Sequence, residues 1–89
     1  MNYKKTAADI LKLVGGESNV ASVTHCITRL RFNLVDEAKA DTGSVQKVKG
    51  VMGVASQGGQ YQIIIGNEVG KVYDEVVKLG SFKAAAPVK

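Results

Sequence analysis

One short stretch of this chain gathers its rare reactive residues. The sequence holds one histidine, one cysteine and two arginines, and all four fall within His25-Cys26-Ile27-Thr28-Arg29-Leu30-Arg31. A thiolate is the nucleophilic form of cysteine, and neighbouring cations lower the pKa of the thiol. The planar fork of arginine matches paired phosphate oxygens. A cysteine beside two arginines therefore suits attack on an electrophilic phosphorus, followed by retention of a dianionic product. The backbone N–H groups of Ile27, Thr28 and Arg29 can add a small anion nest, and the Thr28 hydroxyl is a further candidate donor.

Plainer readings stand beside this one. A lone cysteine is commonly an inert, buried filler. Arginines on a strand can simply face solvent. In a regular strand His25 points away from Cys26 and can be structural. Gln57-Gly58-Gly59-Gln60 reads as turn chemistry before it reads as a ligand site. The clustering favours the chemical reading for Cys26, Arg29 and Arg31.

Spacing removes other cysteine chemistries. A dithiol redox pair needs a second cysteine. A phosphatase loop of cysteine, five residues and arginine would place its arginine where Phe32 stands. A cysteine–histidine hydrolase needs a histidine from elsewhere in the chain, and the sole histidine is the adjacent residue. No glycine-rich run ends in Gly-Lys-Ser/Thr, so a P-loop is absent. One Cys and one His supply neither an internal disulfide nor a metal cluster, and the reading includes no metal and no cofactor. The unpaired cysteine points to a reducing cytosol.

The surrounding elements must position that stretch. Ala7, Ile10, Leu11 and Val14 recur at i, i+3, i+4 and i+7, one stripe of an amphipathic helix that Gly15-Gly16 ends. Thr6 with Asp9 is a candidate cap, although the helix can begin nearer Tyr3. From Arg29 the pattern alternates, with Arg29, Arg31 and Asn33 on one face and Leu30, Phe32 and Leu34 on the other. Period two predicts a half-buried strand. Two strands, about 20–26 and 29–35, form a hairpin with Cys26 near its bend. Asp41 or Thr42 caps a short helix carrying Val45 and Val48. Strands follow at 51–56 and 61–65 around Gln57-Gly58-Gly59-Gln60. Asn67 is expected to cap a last helix with Val69, Val72, Tyr73 and Val76 on one stripe, ended by Gly80.

The order helix-strand-strand-helix-strand-strand-helix predicts an α+β fold. It is a four-stranded, mostly antiparallel sheet with three helices packed on one face. Arg29 and Arg31 then stand on the other face or its edge. With 89 residues, 45% hydrophobic and 22% charged, the chain has room for one small core. We place that domain at 1–80 and read 81–89, with the only proline, as a linker or tail. No apolar run approaches the roughly 18–20 residues of a membrane span, and no apolar core follows the basic N-terminus as in a signal peptide. The net charge of +4 raises nucleic acid as a partner. The ten lysines are scattered, and the five aromatic residues do not interleave with them as a base-stacking platform would, which argues against nucleic acid.

Thr24-His25-Cys26-Ile27-Thr28-Arg29-Leu30-Arg31-Phe32 resembles the phosphorylation-site signature of IIB domains of the sugar phosphotransferase system, glucose–sucrose superfamily. Gly15-Gly16 with Asn19-Val20, Lys49-Gly50-Val51, the block Gly59 to Gly66 and the closing stretch Val69 to Val76 are also similar to that family. The likeness spans about residues 3–79. The blocks at 36–40 and 58–67 look most like the β-glucoside-type branch, with sucrose and trehalose types close behind. The resemblance implies that a phosphohistidine of a IIA domain donates to Cys26. Cys26 would then pass the phosphoryl group to a sugar held in a membrane IIC domain, a protein-phosphocysteine–sugar phosphotransferase activity. By the same match, Arg29 and Arg31 fall on the two basic positions implicated in onward transfer and Thr28 lies in the same loop, while His25 stands where the family has more than one polar residue, so the match assigns it no role. The donor surface should be anionic or apolar around its histidine. The implied place is the cytoplasmic side of a bacterial membrane, with 81–89 leading toward the membrane domain. The alternative is a regulatory module of the same fold that senses phosphorylation and binds a partner.

Overall fold

The computed structural model describes residues 2–80 and the backbone of residues 83–84. The first helix, α1, runs Tyr3–Leu13. Its cap is Asn2, whose side chain accepts from the Lys5 N–H at 3.1 Å. Thr6 is not the cap. It lies on the buried stripe, and its hydroxyl donates to the Lys49 carbonyl at 3.1 Å. The helix ends where the Gly16 N–H returns to the Leu11 carbonyl at 2.9 Å. Gly15 takes φ +113°, and a Cβ there would sit 2.6 Å from Asn19 Nδ2, so both the backbone and the space demand glycine.

Asn19 is the buried stitch beyond this turn. Its amide donates to the carbonyls of Val14 (2.7 Å) and Asp36 (2.9 Å), and its oxygen accepts the Asp36 N–H at 2.9 Å. One side chain thereby ties the end of α1 to the chain leaving the second strand.

Strands β1 (Val20–His25) and β2 (Arg29–Leu34) form the expected hairpin. A short helix, α2 (Thr42–Val45), is capped by Asp41, which accepts from the Ser44 N–H. Strands β3 (Gly53–Gln57) and β4 (Gln60–Ile64) turn at Gly58-Gly59, where φ values of +59° and +78° suit a tight hairpin turn. Helix α3 runs Val69–Leu79. Glu68, not Asn67, occupies its N-cap position and makes no side-chain capping bond. The Glu68 carboxylate instead accepts from the Tyr3 hydroxyl and pairs with Lys71 at 3.5 Å, which joins the starts of α1 and α3.

The predicted element order holds. The three helices pack on one face of a sheet ordered β3-β4-β2-β1, antiparallel throughout. A two-residue strand, β5 (Lys83–Ala84), adds to the edge parallel to β1 and was not foreseen. The rest of 81–89, expected to be a linker or tail, lies outside the described residues. Ala7 and Ile10 of α1, Val14 at its C-cap, Val45 of α2 and Val72 and Val76 of α3 meet Val23, Leu30, Phe32 and Ile63 of the sheet. All ten are fully buried. None of the helices among the described residues is long and apolar enough to cross a membrane.

Candidate functional site

The alternation in β2 decides which residues leave the core. Leu30 and Phe32 point to the helices, so Arg29, Arg31 and Asn33 stand on the opposite, open face. Register adds their neighbours. Thr24 pairs with Arg31 and Ser22 with Asn33 across β1, while Gln62 pairs with Arg31 across β4.

Cys26 sits just after β1, in the three-residue connection to β2. Its N–H donates to the Arg29 carbonyl at 3.0 Å, which closes the loop. The Thr28 carbonyl accepts from the N–H groups of both Ile65 (2.8 Å) and Gly66 (2.9 Å), which pins the loop to the end of β4. Cys26 is half-buried. Burial alone would push the thiol pKa up. The Thr28 N–H, the Arg31 guanidinium and the Arg29 N–H at the sulfur, with the Arg31 charge, outweigh that and bring the thiol down to about 7. A substantial share of the thiol is then ionised at neutral pH. Donor N–H groups and a guanidinium around one sulfur also fit three oxygens of a phosphoryl group.

The residues singled out by the sequence are placed unequally around the Cys26 thiol, and His25 is not brought to it. Arg31 lowers the thiol pKa through its charge and its guanidinium. Arg29 shares its face. Thr28 contributes its backbone: N–H to sulfur and carbonyl to the neighbouring strand. His25 stands on the helix side, opposite Leu30, with its ring 4.6 Å from that of Tyr73 and Nδ1 2.8 Å from the Cys26 carbonyl.

Sequence reading missed two side chains. Gln60, taken with the turn, and Gln62, read only as part of the fourth strand, contact the arginines: Arg29 Nη1 donates to Gln62 Oε1 at 2.8 Å, and Arg31 Nη1 to Gln60 Oε1 at 3.1 Å. Their two-residue spacing was the available signal, because it puts both on one face of a strand. At the same end of the sheet, Ile27 is 83% exposed and Met52 75%, with Met52 beside Gly66.

Comparisons with known proteins bear on the family and the fold. A family model described as phosphotransferase system, EIIB matches residues 8–41. A β-glucoside-specific EIIBCA component of Halalkalibacterium halodurans is 51% identical over 86 residues, 97% of this chain and 14% of the relative. One from Bacillus subtilis is 58% identical over 78 residues, 88% and 13% respectively. A crystal structure of one domain of the phosphotransferase IIabc component from Clostridium difficile superposes with a TM-score of 0.88 at 42% identity. That match covers 98% of this chain and 90% of the solved one. This chain therefore spans about a seventh of those curated relatives, and nearly the whole of the solved domain. It belongs to the EIIB family of the phosphotransferase system.

Proposed function

We propose that Cys26 is the phosphoryl carrier of this EIIB domain, taking the group from a phosphohistidine on a IIA domain and passing it to a sugar bound in a membrane IIC domain. The Cys26 thiolate attacks the phosphorus; the S–P bond forms, the N–P bond breaks, and the imidazole leaves and takes up a proton. A sugar hydroxyl then attacks the same phosphorus. The O–P bond forms, the S–P bond breaks, and the hydroxyl proton passes to solvent or a nearby base. The thiolate returns unchanged.

The observation that carries this reading is the thiol itself, held at about 7 by two backbone N–H groups and Arg31. The same groups offer hydrogen-bond donors and positive charge suited to phosphoryl oxygens on that sulfur. Arg29, on the same face, adds a second cation for the charge that spreads over those oxygens during transfer. Such transfer depends mostly on positioning and electrostatics. Exposed Ile27 and Met52, on a domain of net charge +4, suit a donor that presents apolar and anionic surface around its histidine. The relatives named for β-glucosides, fused as EIIBCA chains, make a β-glucoside the proposed sugar and a permease at the cytoplasmic side of the membrane the proposed setting.

The test is intact mass after incubation with phosphoenolpyruvate, the general phosphocarrier proteins and a IIA domain. Wild type should gain one phosphoryl group and Cys26→Ser none. Equal labelling of both would remove Cys26 from the reaction.

A further inference from the structure

Strands β2 and β4 set Arg31 directly across from Gln62 and Arg29 across from Ile64. On one face of an antiparallel pair, long side chains also reach the diagonal neighbour. Both arginines use that reach, Arg29 to Gln62 and Arg31 to Gln60. Gln62 Nε2 then donates to Gln60 Oε1 at 3.4 Å. The result is one connected row in which two neutral amides bridge two guanidinium groups.

Gln62 is only 3% exposed. A buried amide is costly unless its polar atoms are satisfied, and here both its oxygen and its nitrogen are engaged within the row. A carboxylate is the stronger partner for a guanidinium and would hold it more tightly. It would also cancel the positive charge. An amide fixes the same fork and leaves the charge in place.

We propose that Gln62 and Gln60 are positioning residues that hold Arg29 and Arg31 as un-neutralised cations, ready for the phosphoryl group carried by Cys26. The proposal rests on the reading of Cys26 as that carrier. Arg31 is the charged group against the thiol, and Arg29 shares its face of β2. His25 stands on the other face against Tyr73.

The test compares Gln62→Glu, Gln60→Glu and Gln62→Leu in the 89-residue chain. Gln57→Glu serves as the control, since Gln57 is exposed on the same hairpin and makes none of these contacts. Three quantities are read from each: the thermal midpoint, the pH midpoint of Cys26 alkylation by iodoacetamide, and the rate of phosphoryl acceptance from a phosphorylated IIA domain. Gln62→Glu and Gln60→Glu should stay folded, move the alkylation midpoint up from about 7, and slow acceptance by about tenfold, the loss of roughly one charge-assisted hydrogen bond. Gln62→Leu leaves the charges but frees the forks, so it should slow acceptance with a smaller midpoint shift. Gln57→Glu should match wild type.

A wild-type midpoint and rate in folded Gln62→Glu and Gln60→Glu overturn the proposal. If Gln62→Glu does not fold, Gln60→Glu at the hairpin end decides it alone. If wild type takes up no phosphoryl group yet the midpoint moves as stated, the role of Cys26 fails and the amide row stands. An unmoved midpoint overturns the row in either case.

Discussion

The two faces of the sheet come from the same strands, one residue apart, and different forces hold them. On the helix side Leu30, Phe32 and Ile63 are fully buried against α1 and α3, and their contribution scales with apolar area removed from water. On the open side Arg29, Arg31, Gln60 and Gln62 are linked by hydrogen bonds that exchange for bonds to water, so each adds little net stability. A β2 side chain that reverses face would change the kind of job it does. The helix face keeps the chain folded, and the open face keeps cations and thiol in place once it has folded.

Substitutions on each face put that division to the test. Phe32→Ala should have the largest effect, a loss of about 3–5 kcal/mol in chemical denaturation, enough to unfold much of a small domain. Gly15→Ala comes next, because φ +113° and the clash with Asn19 act together, and it should cost about 2–3 kcal/mol by the same measurement. Arg31→Met should fall within about 1 kcal/mol of wild type in stability, as exposed-face changes usually do. It should nevertheless raise the alkylation midpoint of Cys26 well above 7. A Phe32-sized loss of stability in Arg31→Met would break the division of labour.

A further expected outcome is the pH dependence of stability that Cys26 itself contributes. Its folded pKa of about 7 lies below the ordinary value of 9.0, so the unfolded chain binds more protons between them. The contribution is complete above pH 9 and is lost as pH falls through 7. Urea midpoints of wild type should therefore gain on those of Cys26→Ala between pH 7 and 9. Parallel curves would mean that the thiol is not shifted.

Patterns carried by neighbouring residues were legible in the sequence. The alternation from Arg29 to Leu34 fixed which side chains leave the core, and the i, i+3, i+4, i+7 stripe fixed the buried face of α1. Features that depend on distant pairing were not. Asn19 gains its role only when the end of α1 meets the chain after β2. Gln60 and Gln62 become partners of the arginines only through the β2–β4 register, across 29 and 33 positions of sequence. Asp41 caps α2 as expected and α1 begins at Tyr3, but the caps expected at Thr6 and Asn67 failed for a related reason. Glu68 is drawn to Tyr3 and Lys71, so α3 begins without the side-chain cap expected of Asn67. Thr6 is taken by the Lys49 carbonyl, which leaves Asn2 to cap α1.

The loop at Cys26 also bears on the order in which the molecule assembles. Its closing bond, from the Cys26 N–H to the Arg29 carbonyl, spans three positions, whereas the amides that hold the arginines arrive from β4. Short loops close sooner than long ones, because less chain must be ordered before a contact rewards it. During refolding the thiol should become reactive as the β1–β2 hairpin forms, ahead of the arginine clamp. Pulsed alkylation, timed against protection of the β4 amides from hydrogen exchange, would resolve the two events as a nucleophile born before its surroundings set.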